Sequence, residues 1–315
     1  MADLKLINMR DVEVESVSWL WYPFIPYGKV TIIQGDPGEG KTTLVLQIIA
    51  RLTKGRSIID KKELSPINVI YQTAEDGLAD TIKPRLLSAN ADCSKVLVID
   101  DRDTPLTMRD VRLEQAIVET NAKLVVLDPI QGFLGADVDM HRANEIRPIM
   151  KHISELAEKY KCAIVLIGHM NKCSVGKSAY RGLGSIDFQA AARSVLIVGR
   201  IKDEPEIRVV CQTKSSLAPE AKAVAFRLNE EIGFEWIGEL DITADDLISG
   251  TVKGTKKQAA MDFLENLLED GRMAQTEIIE LARQKGISDK TLRNAKDELK
   301  IKSKRVNNQW HWSFD

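Results

Sequence analysis

The chain has 315 residues, of which 44% are hydrophobic and 29% are charged. This composition excludes a mostly disordered chain, a collagen-like fibre and a coiled-coil rod, and the length suggests about two domains. The 44 basic and 46 acidic residues give a net charge of −2, which excludes a uniformly basic nucleic-acid coat but permits a local basic patch.

Neither the N-terminus nor any apolar run suggests export or membrane insertion. The opening segment MADLKLINMRDVEVE is too charged for a signal peptide. The apolar runs fall short of the roughly 18 residues that a membrane span needs. The four cysteines form no CxxC pair and no cluster with the four histidines. We therefore expect a cytoplasmic protein with no membrane partner, no disulfide and no zinc site, and with Cys162 and Cys211 in its core.

Residues 1–247 are predicted to form an α/β domain with a mostly parallel sheet, because short apolar runs alternate with amphipathic stretches of helix length. The runs predict buried strands at residues 30–34, 67–72, 96–99, 124–127 and 163–168. Intervening stretches such as 42–52 and 143–159 predict helices. Four later runs follow one another closely and predict an antiparallel extension of the sheet, at residues 195–198, 209–213, 223–228 and 233–238.

The first predicted strand leads directly into GDPGEGKT at residues 35–42, which fits the phosphate-binding loop (P-loop) pattern GxxxxGK[ST] and precedes a predicted helix. Glycines let backbone N–H groups surround phosphate oxygens, and the helix N-terminus adds partial positive charge. Lys41 can reach the β- and γ-phosphates, and the Thr42 hydroxyl can ligate Mg²⁺. ATP and Mg²⁺ are the predicted cofactors. The predicted nucleotide-binding residues are Gly35, Pro37, Gly38, Gly40, Lys41, Thr42 and Thr43.

Three more predicted strands end in polar side chains. Asp128 follows the run 124–127 and is predicted to ligate Mg²⁺ beside the P-loop, with an ordinary strand-ending aspartate as the alternative. In TAED at 73–76, Glu75 is the predicted catalytic carboxylate, whereas Asp76 suits a helix cap. His169 ends the run 163–168 and can contact the γ-phosphate, with a structural histidine as the alternative.

These residues, in this order, resemble the RecA-like ATPases, and within them the plasmid replicative helicases of the RepA group and their phage and mobile-element relatives. The resemblance covers about residues 15–230. Besides the P-loop, it rests on WLWYPFIPYG at 19–28, TAED at 73–76, VVLD at 125–128, IGHMNK at 167–172, YRGLGS at 180–185 with AAARSVL at 190–196, and QTKSSLAPE at 212–220.

The resemblance implies a role for each of five residues. Lys41 and Thr42 match the P-loop lysine and the Mg²⁺-ligating hydroxyl. Glu75 matches the catalytic glutamate, Asp128 the Mg²⁺-side aspartate and His169 the γ-phosphate sensor.

The resemblance also implies two catalytic residues that act in trans. Arg193 resembles an arginine finger, and Lys214 resembles a lysine that reaches the γ-phosphate of the neighbouring subunit. The structural alternatives are a surface charge at a helix end for Arg193 and an ordinary sheet-edge lysine for Lys214. Residues that act on the site of a neighbouring subunit require a homo-oligomer. In this family the homo-oligomer is a ring or filament and usually a hexamer.

In this family, the segments that follow two of the motif strands line a central channel and touch DNA. They correspond here to residues 129–144 and 171–184. The second carries Lys172, Lys177 and Arg181 among glycines and serines, which suits contact with phosphates. The first is acidic, which does not fit a simple basic DNA loop.

After a polar, glycine-rich linker at 248–255, residues 256–315 are predicted to form a winged helix-turn-helix domain. Helices are predicted at 256–269, 275–284 and 291–299, with Ser288 as an N-cap, and a ribbon at 302–312 whose tryptophans pack onto the helices. Residues 283–305 hold nine basic and three acidic side chains. The predicted DNA contacts are Lys290, Arg293 and Lys296 on the third helix, and Lys304 and Arg305 on the wing. A winged helix that binds protein is the alternative.

Together these features predict a DNA-dependent, ring-forming ATPase of the replicative helicase type from a phage, plasmid or other mobile element. Its expected partners are single-stranded or forked DNA, further copies of itself, and a replication-initiation protein or a primase. Two alternatives remain open at this point. One is a RecA- or RadA-like recombination or repair ATPase, and the other is an ATP-switched DNA-binding regulator without motor activity.

Overall fold

A computed structural model describes residues 4–59, 62–170, 186–229, 231, 233–250, 255–269, 271–306 and 309–314. The chain divides into two compact units, one formed by Met1–Arg200 with Glu206–Ile248 and the other by Ile201–Pro205 with Ser249–Asp315. The predicted DNA contacts Lys172, Lys177 and Arg181 lie outside the described residues. Nowhere in the described part of the chain is there a helix long and apolar enough to cross a membrane.

The larger unit is built on a nine-stranded sheet with the order β11-β10-β9-β8-β3-β7-β6-β4-β5. A separate two-stranded ribbon precedes it, formed by β1 (Trp19–Trp21) and β2 (Ile25–Pro26). The strands of the large sheet are β3 (Val30–Gly35), β4 (Val69–Thr73), β5 (Val96–Leu97), β6 (Leu124–Asp128), β7 (Ala163–His169), β8 (Ser194–Ile201), β9 (Glu204–Ser215), β10 (Ala223–Asn229) and β11 (Gly233–Leu240).

The predicted mostly parallel sheet with an antiparallel extension is confirmed, but the first strand assigned to the extension, residues 195–198 in β8, was wrong, because β8 joins the sheet parallel to β3. β3 pairs in parallel with β7 and β8, and β6 pairs in parallel with β4 and β7. β10 pairs antiparallel with β9 and β11. The prediction of a strand over 96–99 was too long, since β5 ends at Leu97. Beyond Leu97, the side chain of Gln72 takes the place of a strand partner for Ile99. Its amide nitrogen donates to the Ile99 carbonyl oxygen and its amide oxygen accepts from the Ile99 N–H, both at 3.0 Å.

Helices cover both faces of this sheet, which explains why its central strands are apolar at nearly every position. The helices are α1 (Lys41–Thr53), α2 (Lys83–Ser88), α3 (Val111–Thr120), α4 (Ala143–Tyr160), α5 (Ile186–Ala191) and α6 (Ala244–Ser249), and a wide helical turn at Leu78–Ile82 precedes α2. Successive residues of β3 point to opposite faces, so Ile33 packs in the cluster that contains α1, and Ile32 packs in the cluster that contains α4.

The smaller unit contains α7 (Thr255–Leu268), β12 (Met273–Ala274), α8 (Gln275–Gln284), α9 (Asp289–Glu298), β13 (Lys302–Val306) and β14 (Gln309–Ser313). Its antiparallel sheet has the order β12-β14-β13. Leu264, Ile278, Leu292 and Trp312 share its core. The predicted N-cap is confirmed, because the Ser288 hydroxyl accepts a hydrogen bond from the Thr291 N–H at 3.2 Å.

The two tryptophans of the ribbon differ in burial. Trp312 is 3% exposed, and the Lys296 ammonium lies 5.0 Å from the centre of a Trp312 ring. Trp310 is 51% exposed, so the prediction that both pack onto the helices was wrong for Trp310. The two-residue strand β12 pairs with Trp312 and His311 and ends before it reaches Trp310. Among the described strands, Trp310 is therefore paired on one side, with Arg305 of β13.

Candidate nucleotide-binding site

The P-loop joins β3 to α1 and has the backbone geometry that its glycines permit. Gly38 and Gly40 have φ angles of +79° and +87°, a region that residues with a Cβ rarely adopt. Gly35 is required for a different reason, since a Cβ there would lie 2.2 Å from the Val198 carbonyl oxygen. Gly40 stands at the N-cap of α1, so the first N–H groups of this helix face the loop.

Lys41 begins α1 and is only 5% exposed. Its Nζ donates hydrogen bonds to the carbonyl oxygens of Gly35 and Asp36, both at 2.9 Å, and lies 3.4 Å from Nδ1 of His169. Burial lowers the pKa of this ammonium, while Asp128 and nearby acidic groups oppose that shift. The ammonium is therefore held inside the loop, where a phosphate group would enter.

Asp128 ends β6 and is 7% exposed. Its Oδ2 accepts hydrogen bonds from the Thr42 hydroxyl at 2.7 Å and from the Tyr71 hydroxyl at 2.9 Å. Burial raises the pKa of this carboxyl, and the two hydrogen bonds oppose the increase. A carboxylate and a hydroxyl supply the oxygen ligands that Mg²⁺ prefers, so the predicted pair Thr42 and Asp128 fits this ion.

Tyr71 is a site residue that the sequence analysis missed. It is a fully buried residue of β4, and burial followed by the charge of Asp128 raises the pKa of its hydroxyl. The only signal in the sequence is a hydroxyl within the otherwise apolar run Val-Ile-Tyr. A buried tyrosine hydroxyl needs a polar partner, but the sequence does not say which one.

Glu75 follows the end of β4, and its side chain is 66% exposed. Its Oε2 lies 3.9 Å from Nε2 of His169, the last residue of β7. The histidine therefore stands between Lys41, next to Nδ1, and Glu75, next to Nε2. The suggestion that Asp76 caps the next helix was wrong, because Gly77 is at that N-cap and Asp76 forms an ion pair with Arg85 at 3.3 Å.

Strand register explains why these side chains meet. β3 and β7 are parallel neighbours in which Gly35 pairs with His169, and β4 and β6 are parallel neighbours in which Thr73 pairs with Asp128. The carboxyl ends of parallel strands lie at one edge of a sheet, so residues far apart in sequence share that edge.

The loop after β6 packs tightly against the segment that carries Glu75. The Ala74 N–H donates to the Asp128 carbonyl oxygen at 3.0 Å. A Cβ added at Gly132 would lie 2.3 Å from the Ala74 Cβ. The position of Glu75 therefore depends on a glycine more than fifty residues away.

The two residues predicted to act in trans are neighbours in this chain. Arg193 is exposed just before β8, and its backbone bonds to Val30 and Ser216. The Lys214 ammonium donates to the carbonyl oxygens of Gln189 and Ala190, at 2.8 and 3.0 Å, at the end of α5. Burial lowers the pKa of Lys214, and Arg193 adds to that shift. Lys214 thus has a helix-capping role within its own chain.

The predicted DNA contacts of the smaller unit lie on α9 and β13. Lys290 and Arg293 are exposed on α9, whereas Lys296 is half-buried over Trp312. Lys304 and Arg305 are exposed on β13.

Comparison with known proteins identifies the larger unit. Residues 3–175 match the family model described as an AAA domain. The fold is similar to that of the ATPase domain of G40P, with a TM-score of 0.51 at 13% identity over 67% of this chain and 85% of that one. It is also similar to a KaiC-like protein from Pyrococcus horikoshii, with a TM-score of 0.50 at 18% identity over 68% and 93% of the two chains. The expected RecA-like fold is confirmed.

The sequence relatives include a protein named for DNA repair. The chain is 29% identical to the DNA repair protein RadA of Halalkalibacterium halodurans over 148 residues, which make up 46% of this chain and 28% of that protein. It is 25% identical to protein RecA of Sinorhizobium medicae over 253 residues, or 73% of this chain and 66% of that protein. The match therefore spans less than a third of the length of the RadA relative.

Proposed function

Because the chain belongs to the AAA domain family, we propose that it is an ATP-hydrolysing, DNA-dependent motor of the replicative helicase type, which works as a ring and comes from a phage, plasmid or other mobile element. The observation that carries this proposal is the arrangement at one sheet edge. There the Lys41 ammonium lies inside the P-loop, and the Thr42 hydroxyl donates a hydrogen bond to Asp128. His169 lies between Lys41 and Glu75.

In this proposal the residues of the chain bind and orient ATP. The loop N–H groups and the Lys41 ammonium hold the phosphates, and Thr42 with Asp128 would hold Mg²⁺. When bound, Mg²⁺ neutralises phosphate charge. Glu75 is exposed enough to meet a water molecule and accepts its proton. His169 lies beside both Lys41 and Glu75, so a change at the γ-phosphate alters the position of His169, which stands two residues before the segment 171–184.

The proposal assigns Arg193 to the site of the neighbouring subunit. Its exposed position leaves it accessible to another copy of the chain. A cation supplied in trans stabilises charge that develops in the transition state, and it makes hydrolysis depend on assembly. Lys214 can join it only by leaving the carbonyl oxygens of Gln189 and Ala190.

The smaller unit is proposed to be a winged helix that binds DNA or a replication partner. Its three helices and antiparallel ribbon support this assignment, as do the exposed Lys290, Arg293, Lys304 and Arg305. Charge reversal at Lys290 and Arg293 should weaken binding to duplex DNA and reduce the salt dependence of binding. Equal affinity in the variant and the wild type would favour a protein partner instead.

A recombination or repair ATPase is the second candidate, and the RadA and RecA relatives favour it. Displacement of a strand from a forked duplex separates the two functions, since a helicase of this type separates the strands and a filament-forming recombinase pairs them. An ATP-switched regulator would do neither.

The test is ATP hydrolysis by the full chain with and without single-stranded DNA, together with strand displacement from a fork. We expect DNA to stimulate hydrolysis, and Lys41→Ala to abolish both activities. A rate that does not respond to single-stranded DNA contradicts the motor proposal. Wild-type hydrolysis by Lys41→Ala contradicts the site assignment. Mass measurement with and without ATP and DNA tests the ring, and a monomer in all conditions contradicts it.

A further inference from the structure

The P-loop contains an acidic residue at a place where it would repel phosphate. Glu39 precedes Gly40, and its side chain is only 13% exposed. Its Oε1 accepts a hydrogen bond from Nε of Arg200 at 2.8 Å. Its Oε2 is buried and has no hydrogen-bond partner among the described residues. Because like charges repel more strongly when they are shielded from water, this carboxylate must be neutralised for a triphosphate to bind beside it.

Arg200 also holds the loop backbone. It lies on β8, next to the P-loop strand β3, and its Nη2 donates to the Gly38 carbonyl oxygen at 3.2 Å. The peptide unit is planar, so its carbonyl and the following N–H point in opposite directions. By holding the Gly38 carbonyl, Arg200 therefore helps to set the direction of the Glu39 N–H, which donates to the Asp36 carbonyl oxygen at 3.3 Å within the loop.

A second arginine lies on the same face of the sheet. Arg208 of β9 pairs with Phe226 of β10, and directly opposed residues of antiparallel strands share a face. Phe226 adjoins the P-loop, because a Cβ at Gly40 would lie 3.7 Å from its ring. Arg208 is 8% exposed, and its Nε and Nη1 are buried without an acceptor in the part of the chain that the structure describes.

The surroundings of Arg208 favour an anion. Burial lowers its pKa, Arg200 adds to that effect, and the charge of Glu39 opposes it. A buried guanidinium with unpaired donors and a buried carboxylate oxygen without a donor thus lie near the same loop. Each is unfavourable alone, and pairing them would satisfy both.

We propose that Arg200 and Arg208 form a two-arginine clamp on the P-loop, in which Glu39 bridges both guanidinium groups when nucleotide fills the loop. The phosphates would repel the Glu39 carboxylate. Arg208 can receive it, because its Nε and Nη1 lack an acceptor among the described residues and the charge of Glu39 already acts on this guanidinium. Arg208 is therefore a positioning residue for nucleotide binding that acts through Glu39. This inference rests on the proposed function only in requiring that the loop binds nucleotide.

The experiment compares Arg208→Met with the wild-type full chain. Affinity is measured by fluorescence titration with N-methylanthraniloyl-ATP, and the unfolding midpoint is measured without nucleotide. We expect about tenfold weaker binding, since a charge-assisted hydrogen bond is lost. The midpoint should stay unchanged or rise, because a buried unpaired charge is replaced by an apolar side chain of similar length. A residue that only supported the fold would lower the midpoint instead.

The matched control is Arg227→Met. Arg227 lies on β10 next to Phe226 and pairs with Glu206 and Glu235, outside the P-loop. It should leave nucleotide affinity unchanged. If Arg208→Met does not fold, Arg208→Lys replaces it, because it keeps the charge but cannot donate in a fork; its expected loss is smaller but measurable.

The bridge itself is tested in a Glu39→Gln background. There the Arg208 substitution should change affinity by less than about twofold, because the negative charge that pairs with Arg208 is already gone. An equal loss in both backgrounds, or wild-type affinity in Arg208→Met, overturns the clamp. Failure of the wild-type chain to bind the fluorescent nucleotide would instead overturn the proposed function.

Discussion

Asp128 receives two hydrogen bonds through one oxygen, and only one of the two donors belongs to a recognisable motif. Thr42 comes from the P-loop, whereas Tyr71 comes from the neighbouring strand β4. A second donor fixes the direction in which the carboxylate points. Loss of a group that orients a metal ligand typically weakens metal affinity by about 10- to 100-fold, and Asp128 is the proposed Mg²⁺ ligand here.

Tyr71→Phe should therefore raise the Mg²⁺ concentration needed for half-maximal ATP hydrolysis by about tenfold. Tyr160→Phe is the matched control, because the Tyr160 hydroxyl also donates to a carboxylate, that of Glu114, away from the P-loop. A Mg²⁺ titration of the ATPase rate provides the measurement. The same Mg²⁺ dependence in both variants would mean that Tyr71 does not orient Asp128.

The cysteines offer a test of the core at the same scale. Burial raises the pKa of Cys162 to about 11 and that of Cys211 to about 12, whereas Cys93 is only half-buried. Thiolate is the reactive form, so at pH 8 iodoacetamide should modify Cys93 at least about tenfold faster than Cys162 or Cys211. Peptide mass spectrometry measures this difference, which denaturant should remove. Equal rates in the folded protein would contradict the buried assignment.

At the scale of elements, the site depends on how two loops pack. Gly132 follows β6, Ala74 follows β4, and no space remains between them for another Cβ. Gly132→Ala should displace the segment with Glu75, the proposed catalytic carboxylate, and lower kcat by at least about tenfold, because small misplacements of catalytic groups are costly. Its effect on nucleotide affinity should be smaller.

The chain offers a matched rescue for this variant. Ala74→Gly removes the Cβ that a methyl group at residue 132 would meet, so the double variant should recover most of the lost kcat. ATPase assays of the two single variants and the double variant give the answer. No recovery in the double variant would show that the clash is not the cause.

The smaller unit depends on a cap at the start of α9. Ser288→Ala removes the hydrogen bond to the Thr291 N–H and should lower the free energy of unfolding of this unit by about 1 kcal/mol. Ser288→Asp keeps an acceptor and should retain most of the stability. Urea unfolding measures the stability of both variants, with the tryptophan fluorescence of the unit that contains Trp312 as the signal. Equal loss in the two variants would point to the hydroxyl contact with Thr291 instead.

For the whole molecule, the proposed ring makes each active site shared between two copies. Arg193→Ala should bind nucleotide normally and hydrolyse it at least about a thousandfold more slowly. Mixed with Lys41→Ala chains, it should regain part of the activity, because some interfaces then combine an intact Lys41 with an intact Arg193. ATPase rates across mixing ratios test this prediction. Additive rates with no recovery would place both residues in the same subunit's site.

The sequence by itself determined the features that depend on neighbouring residues. Strand and helix periodicity predicted the α/β sheet and its antiparallel extension, and glycine spacing predicted the P-loop. The polar residue after each apolar run placed Asp128, Glu75 and His169 at one edge, because parallel strands all end on the same side. The cap at Ser288 was also local, since donor and acceptor are three residues apart.

Only the tertiary structure decided which distant groups touch. Three contacts join residues that are separated by more than fifty positions. They are the hydrogen bond from Tyr71 to Asp128, the hydrogen bond from Arg200 to Glu39, and the packing of Gly132 on Ala74. Lys214 binds the end of α5, and β12 ends too early to cover Trp310. These contacts are set by strand order and register, which bring together residues that no local pattern in the chain connects.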